Sequence, residues 1–326
     1  MMLSTHSHTS PTWSARDEHS CESEIELVNQ MSDYVRRKAG KGYRTLIARE
    51  IAAVLSPGTA IPSEILECLE SLHTFTLIHD DVVDNSPMRR GQDTLWKQYS
   101  KDLAILYGDY QHAFVFQRLA ESRDVPESFR IPLIEAFASA SMRVQEGQIA
   151  ELQHLFDVRM DQLKYYKIAS LKTSSLISLS VFIGAIFGQA CESAISELMQ
   201  FADYFGIAYQ IYNDIIDFTT SHGKCASDDI RSGVMSLPLI IYCDSMLRAC
   251  GRYPSLEMSA SNTQIREAVV TDILRLNILQ QASSICRMYS DDAEYHLKSA
   301  LQTVTAPTIG EILCRFRGVL TGFSCT

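Results

Sequence analysis

Glycine (15) and proline (9) are scarce in this chain of 326 residues, so long uninterrupted elements are expected and a loop-rich or fibrous protein is excluded. The nine cysteines are odd in number and include no Cys-x-x-Cys pair, which removes both a disulfide framework and a structural zinc site. No run alternates apolar and polar residues as a half-buried strand would. Neither GxxxxGK[ST] nor GxGxxG occurs, so no nucleotide-binding fingerprint is present. Cations are the minority, 29 Lys and Arg against 39 Asp and Glu, a net charge of −10. That balance offers no general field to nucleic acid, which is not expected as a partner. The most apolar run, Leu176 to Phe187, is interrupted by Ser178 and Ser180 and is too short to cross a bilayer, so no transmembrane segment is expected.

The composition, 46% hydrophobic and 21% charged, is that of a chain able to bury a large core. Residues 1–22 are rich in Ser, Thr and His without an apolar signal core, and read as a disordered tail on a cytoplasmic protein. Residues 23–326 show no repeat and no low-complexity linker, so one domain is expected. Amphipathic helical runs cover about 23 to 37, 43 to 55, 62 to 85, 101 to 121, 127 to 155, 159 to 189, 193 to 219, 236 to 252, 263 to 283 and 307 to 320. The fold class is all-α, a large helical bundle with a central cavity between two Asp-rich helices.

The first chemical segment is His73-Thr74-Phe75-Thr76-Leu77-Ile78-His79-Asp80-Asp81-Val82-Val83-Asp84, closing an apolar helix and followed by Arg89-Arg90-Gly91. Asp80 and Asp84 are one turn apart on one face, roughly 6 Å along the axis. Such a pair suits a hard cation that also takes phosphate oxygens, and the two arginines supply fork donors for phosphate. The bland alternative is a solvated acidic helix end, about as common for a bare DDxxD. The second segment is Gln210-Ile211-Tyr212-Asn213-Asp214-Ile215-Ile216-Asp217, whose Gln210, Asn213, Asp214 and Asp217 share one helix side opposite an apolar stripe. Asn213 offers a neutral oxygen where a third carboxylate could stand. Alone this would be ordinary helix surface; with the first segment it suggests two metal-binding faces across one cavity.

Over residues 23 to 320 the chain resembles the trans-isoprenyl diphosphate synthase family, whose two aspartate-rich motifs face each other across an all-α bundle. The resemblance implies that Lys41 and Arg44, in Gly40-Lys41-Gly42-Tyr43-Arg44, bind isopentenyl diphosphate together with His73 and Arg90. It implies Arg89, Lys172, Thr173, Gln210 and Lys224 for the allylic diphosphate. It implies Asp80, Asp84, Asn213 and Asp214 for metal, with Asp80, Asp84, Lys172 and Asp214 as the catalytic set. Asp81, Asp217 and Asp229 match further acidic positions, and Gln148 a glutamine beside the pocket. The implied cofactor is Mg²⁺, three ions per site, and the implied partners are isopentenyl and allylic diphosphates and a second copy of the chain. The implied reaction is ionisation of the allylic diphosphate, attack by the isopentenyl double bond, and proton loss.

In the family the positions four and five before the first Asp, here Thr76 and Phe75, set product length. A small Thr76 beneath Asp80 leaves depth while Phe75 closes part of it, pointing to fifteen to twenty carbons, or ten if another helix adds a bulky residue. Three departures stand out: Asn213 for an Asp, Gly233-Val234 for Gly-Lys, and Glu151 for an Asp after Gly147-Gln148. They leave open a class I terpene cyclase, and behind it a non-catalytic subunit of a prenyl synthase. The retained Lys41, Arg44, His73 and Arg90 favour condensation, because a cyclase needs no second diphosphate site.

Overall fold

The structure, a computed structural model, describes residues 22–37, 40, 42–219, 228–302 and 307–318. Its helices are α1 (Glu22–Arg36), α2 (Tyr43–Leu55), α3 (Ser63–Val83), α4 (Leu95–Gln98), α5 (Lys101–Glu121), α6 (Glu127–Gln153), α7 (Gln162–Ala169), α8 (Ser175–Phe187), α9 (Glu192–Thr219), α10 (Asp228–Ser232), α11 (Leu237–Cys250), α12 (Glu257–Ser261), α13 (Thr263–Arg275), α14 (Ile278–Leu301) and α15 (Pro307–Gly318). The all-α expectation holds. The one sheet among the described residues is a ribbon of β1 (Met88–Arg89) and β2 (Gln92–Asp93), paired Met88 to Asp93 and Arg89 to Gln92.

The bundle is organised around α9, which packs along α14 and α8, while α3 packs on α5 and α2 on α8. Phe201, Ala202, Phe205, Ala208, Ile211 and Ile215 of α9 are buried at the 3.6-residue spacing that aims one stripe inward. A second core, from Leu69, Leu72 and Phe75 of α3 with Val115, Leu133, Phe137 and Ile183, joins α3, α5, α6 and α8. The site-bearing ends of α3 and α9 are thereby held by packed helices.

Three expectations change. The run 263 to 283 is two helices: Asn277 adopts the left-handed conformation (φ 54) and starts a new helix, which Asn tolerates better than most residues. That helix, α14, went unseen beyond 283 because its inward stripe contains Ser283, Cys286, Ser290 and Ala293, small residues that carry little apolar signal. The run 159 to 189 is continuous, but Ser170–Ser174 is a π turn between α7 and α8. With that turn included, Gln162–Phe187 is long and apolar enough to cross a membrane, contrary to the reading of 176 to 187 alone. Of its most apolar window 61% is buried inside the protein, and Ser180 returns its hydroxyl to the Leu176 carbonyl at 2.8 Å. It is used here as a core helix.

Candidate active site

The end of α3 sorts its three carboxylates by helix geometry. Asp80 and Asp84 share a face, whereas Asp81, about 100° round the helix, is buried on another flank. The chain then turns: Ser86 N–H donates to the Asp81 carbonyl (3.0 Å), and the Ser86 carbonyl accepts Thr94 Oγ1 and Trp96 Nε1, both at 2.9 Å. Arg90 (φ 53) and Gly91 (φ 76) form the two-residue connection of the ribbon, both in the left-handed region that such tight hairpins require. This places Arg89 so that its Nε donates to Asp81 Oδ1 at 2.7 Å.

Arg89 and Arg90 meet Arg44 of α2 and His73 of α3. The Arg90 guanidinium lies against Gly40, where a Cβ would come within 2.8 Å of it. Burial, then the positive fields of Arg44, Arg90 and Arg89, hold the His73 imidazole well below its ordinary pKa, so it is neutral. Burial likewise lowers Arg44, opposed by Tyr209 and Glu70. Among the described residues Arg44 Nε, His73 Nδ1 and both amide atoms of Gln148 are buried without a hydrogen-bond partner, the condition of groups arranged to meet a ligand. Gly40, His73, Asp81, Arg89 and Arg90 line a cavity of about 770 Å³ that runs between α1, α3 and α5. It can receive an anion at its arginine end.

The other face of α3 looks toward Lys172, in the π turn, and Glu151 of α6. The turn is possible because Gly147 of α6 leaves room: a Cβ there would stand 2.6 Å from Lys172 N. π turns of this kind concentrate at functional sites. Lys172 Nζ donates to Glu151 Oε2 at 2.5 Å. Burial pulls the Lys172 ammonium down, but Glu151, Asp80 and Asp84 together raise it above its ordinary value. Burial pushes Asp80 up to about 6, with Asp84 and Glu151 adding to the rise against Lys172 and Arg89. A carboxylate crowded by carboxylates is the donor chemistry of a hard divalent cation, and Asp80, Asp84 and Glu151 supply donors of that type. Among the described residues no group of three His, Cys, Asp or Glu side chains stands close enough together, as placed, to hold a metal ion.

On α9, Asp214 is held by the protein at both carboxylate oxygens. Its Oδ2 accepts Tyr165 Oη (2.6 Å) and Leu237 N–H (3.0 Å), and its Oδ1 accepts Gln210 Nε2 (2.8 Å). Both oxygens are engaged by the protein because α7 and the start of α11 close over it. Asn213 is half-buried, Asp217 exposed. Burial, with Asp214 and Asp217, raises the half-buried Asp229 well above the carboxylate range. Thr173 Oγ1 donates to Gln210 Oε1 at 2.6 Å. A second cavity, about 30 Å³, is lined by Glu151, Lys172, Thr173, Gln210, Asp214 and Val234.

The structure therefore brings Arg44, His73, Arg89 and Arg90 together on one flank, and Asp80, Lys172, Thr173, Gln210 and Asp214 on another, with Arg89 acting electrostatically on both. Among the described residues these flanks border cavities of about 770 Å³ and about 30 Å³, and Lys172 and Glu151 line the smaller. Lys41 and Lys224 lie outside the described residues. Phe75 and Thr76 line neither cavity; the Phe75 ring sits 4.7 Å from both His79 and His112, and Thr76 Oγ1 donates to the His73 carbonyl. Two participants lie outside the residues that the sequence predicts. Glu151 stands in the sequence only as a departure, although its acidic character in register with Gly147 is a signal; Tyr165, seven residues before Lys172, carries none.

The sequence profile described as Polyprenyl synthetase matches residues 25–268. A geranylgeranyl diphosphate synthase of Sulfolobus acidocaldarius is 30% identical over 69% of this chain and 70% of that protein. An octaprenyl diphosphate synthase of Haemophilus influenzae is 31% identical over 67% of this chain and 65% of that one. In three dimensions a decaprenyl diphosphate synthase from Rhodobacter capsulatus superposes with a TM-score of 0.77 at 22% identity, covering 93% of this chain and 91% of that one.

Proposed function

The chain belongs to the polyprenyl synthetase family and is a trans-prenyltransferase, and from that premise we propose that it condenses isopentenyl diphosphate with an allylic diphosphate to give a product of fifteen to twenty carbons. The observation that carries the reading is the pair of separate phosphate-handling sets on two flanks of α3, joined by Arg89. One set, Arg44, His73 and Arg90, is cationic and unmetalated in character; the other combines Lys172 with the carboxylates Asp80, Asp84 and Glu151. A cyclase has one diphosphate to bind and no use for the first set.

In this reading Arg44, Arg90 and the neutral His73 hold the homoallylic diphosphate, with Lys41 completing the set. Thr173, Gln210, Arg89 and Lys172 orient the allylic diphosphate, and Lys224 belongs with them. Asp80 and Asp84, with Glu151 and Asn213, would hold Mg²⁺, three ions in the full site, which when bound supplies neutralisation of the diphosphate charge. Lys172 adds a fixed positive charge at the leaving group, where charge grows in the transition state. In this reading product length is set at Phe75, whose ring packs against His112 and His79, together with Thr76 one turn before Asp80. The described cysteines are all free, which suits a cytoplasmic protein. The reading includes a homodimer, for which the exposed apolar side chains Ile131, Met142 and Ile149 along α6, and Leu106 and Tyr110 on α5, offer apolar surface.

The test is incubation of the purified chain with Mg²⁺ and dimethylallyl, geranyl or farnesyl diphosphate, with and without isopentenyl diphosphate, products being resolved by mass. Isopentenyl-dependent C15 or C20 diphosphates are expected. Hydrocarbons or alcohols made without isopentenyl diphosphate would establish the cyclase instead, and a silent chain that changes a partner's product would establish the regulatory subunit.

A further inference from the structure

The buried tyrosine of α7 that faces the second acidic motif has no place in the mechanism above, yet it makes a short hydrogen bond to that motif. Tyr165 is buried, its hydroxyl donating to Asp214 Oδ2 at 2.6 Å. The same oxygen accepts the Leu237 N–H at 3.0 Å, from the first residue of α11. These two donors hold the carboxylate plane, and the remaining oxygen, Oδ1, accepts Gln210 Nε2 at 2.8 Å. An amide side chain can face either way round in a polar pocket. Here the carboxylate decides: with the NH₂ on Asp214, the carbonyl oxygen of Gln210 must face Thr173, whose hydroxyl donates to it at 2.6 Å. Thr173 is the residue next to Lys172 in the π turn.

We propose that Tyr165, acting through Asp214, is a positioning residue that orients Gln210 and Thr173 to receive the allylic diphosphate, and that Asp214 serves this network and not a metal ion. The proposal rests on the prenyltransferase reading for the identity of the ligand. The network spans α7, the π turn, α9 and the start of α11, so it ties the phosphate-facing side chains to packed helices. One N–H of the Gln210 amide is engaged by Asp214, which leaves the other available to a ligand. Without the Tyr165 hydroxyl, Asp214 Oδ2 keeps a single donor, the Leu237 N–H, and the carboxylate that orients the Gln210 amide is held less firmly.

The experiment compares the full-length protein with Tyr165→Phe and Asp214→Asn. Calorimetric titration with geranyl diphosphate in Mg²⁺ is set beside steady-state prenyl transfer in which KM is measured for the primer and for isopentenyl diphosphate separately. For Tyr165→Phe the expected result is an about tenfold weaker affinity for geranyl diphosphate and a matching rise in its KM, with KM for isopentenyl diphosphate within twofold and an unchanged half-saturating Mg²⁺ concentration. Asp214→Asn should move the same parameters. A variant that binds geranyl diphosphate as the parent does, or that raises both KM values together with a lower melting temperature, overturns the positioning role. A shifted Mg²⁺ requirement in Asp214→Asn overturns the second half of the proposal. If the parent binds geranyl diphosphate but makes no isopentenyl-dependent product, the condensation reading falls while the affinity ratio still decides the network. A parent that binds no geranyl diphosphate overturns both.

Discussion

Arg89 Nε donates to Asp81 Oδ1 at 2.7 Å, and that one ion pair separates the duties of adjacent aspartates on α3. Asp80 faces the carboxylate and lysine flank; Asp81, buried, spends its charge on an arginine that serves both flanks. The pair closes the connection between the end of α3 and the ribbon, so the arginines are placed by the helix and do not wander with the turn.

Replacing Asp81 by Asn keeps the shape but removes the charge that holds Arg89. The expected outcome is a loss of about ten- to a hundredfold in kcat/KM, equivalent to about 1.4 to 2.7 kcal/mol, with the half-saturating Mg²⁺ concentration unchanged. Asp80→Asn, by contrast, should raise the Mg²⁺ requirement. Parallel Mg²⁺ titrations of the two variants read the difference.

The raised pKa of Asp80 has a sign that can be checked in protein freed of divalent ions. A carboxylate whose folded pKa, about 6, exceeds its ordinary value of 3.8 binds its proton more tightly when folded. Its ionisation therefore costs stability above pH 6, up to about 3 kcal/mol for a shift of this size, and the cost fades as pH falls from 6 toward 4. Between pH 7.5 and pH 5.5 the metal-free protein should regain only about 0.8 kcal/mol of this cost, melting slightly higher at pH 5.5, and most of the rest between pH 5.5 and pH 4. Asp80→Asn should raise the melting temperature at pH 7.5 and flatten the difference.

Lys172 is the only described cation paired to Glu151, and it counters Asp80 and Asp84 as well. Lys172→Ala leaves three carboxylates facing one another in a partly dry site. Prenyl transfer is expected to fall about a hundredfold, about 2.7 kcal/mol of leaving-group stabilisation. Because acid relieves the repulsion, the variant's loss of thermal stability should be larger at pH 7.5 than at pH 5.5, as differential scanning calorimetry would show.

Gly147→Ala tests the close approach of α6 to the π turn. The new methyl would meet Lys172 N at 2.6 Å, a backbone atom that cannot swing aside. A destabilisation of about 1 to 3 kcal/mol is expected from the overpacking, together with a loss of activity greater than the same destabilisation produces when introduced at a core position far from the site, such as Leu297→Ala. Chemical denaturation and primer KM, measured on both variants, separate the two effects.

Phe75→Ala tests the length barrier. The ring fills the space between His79 and His112, and its removal should shift the product distribution beyond twenty carbons, read by mass; an unchanged distribution would remove Phe75 from that role.

Much of this protein follows from local pattern alone. Helical periodicity with few glycines and prolines determines an all-α bundle, and a four-residue spacing places Asp80 and Asp84 on one helix face, because both statements depend only on the pitch of the helix. The motifs with their order along the chain identify the chemistry, since residue types at those spacings have few other uses. What tertiary structure decided is which oxygen meets which donor. Asp81 and Asp214 carry the same charge as Asp80 and stand at the second position of their motifs, yet α7 and the start of α11 close over Asp214, and Arg89 over Asp81. Glu151 looked like a conservative departure until α6 brought it to Lys172, and Tyr165 looked like ordinary core until its hydroxyl met a carboxylate 49 residues away. The π turn belongs to the same class: it exists because Gly147, on another helix, lets the chain come close. Spacing along one helix is written in the sequence, but contact between helices depends on packing that no local pattern contains.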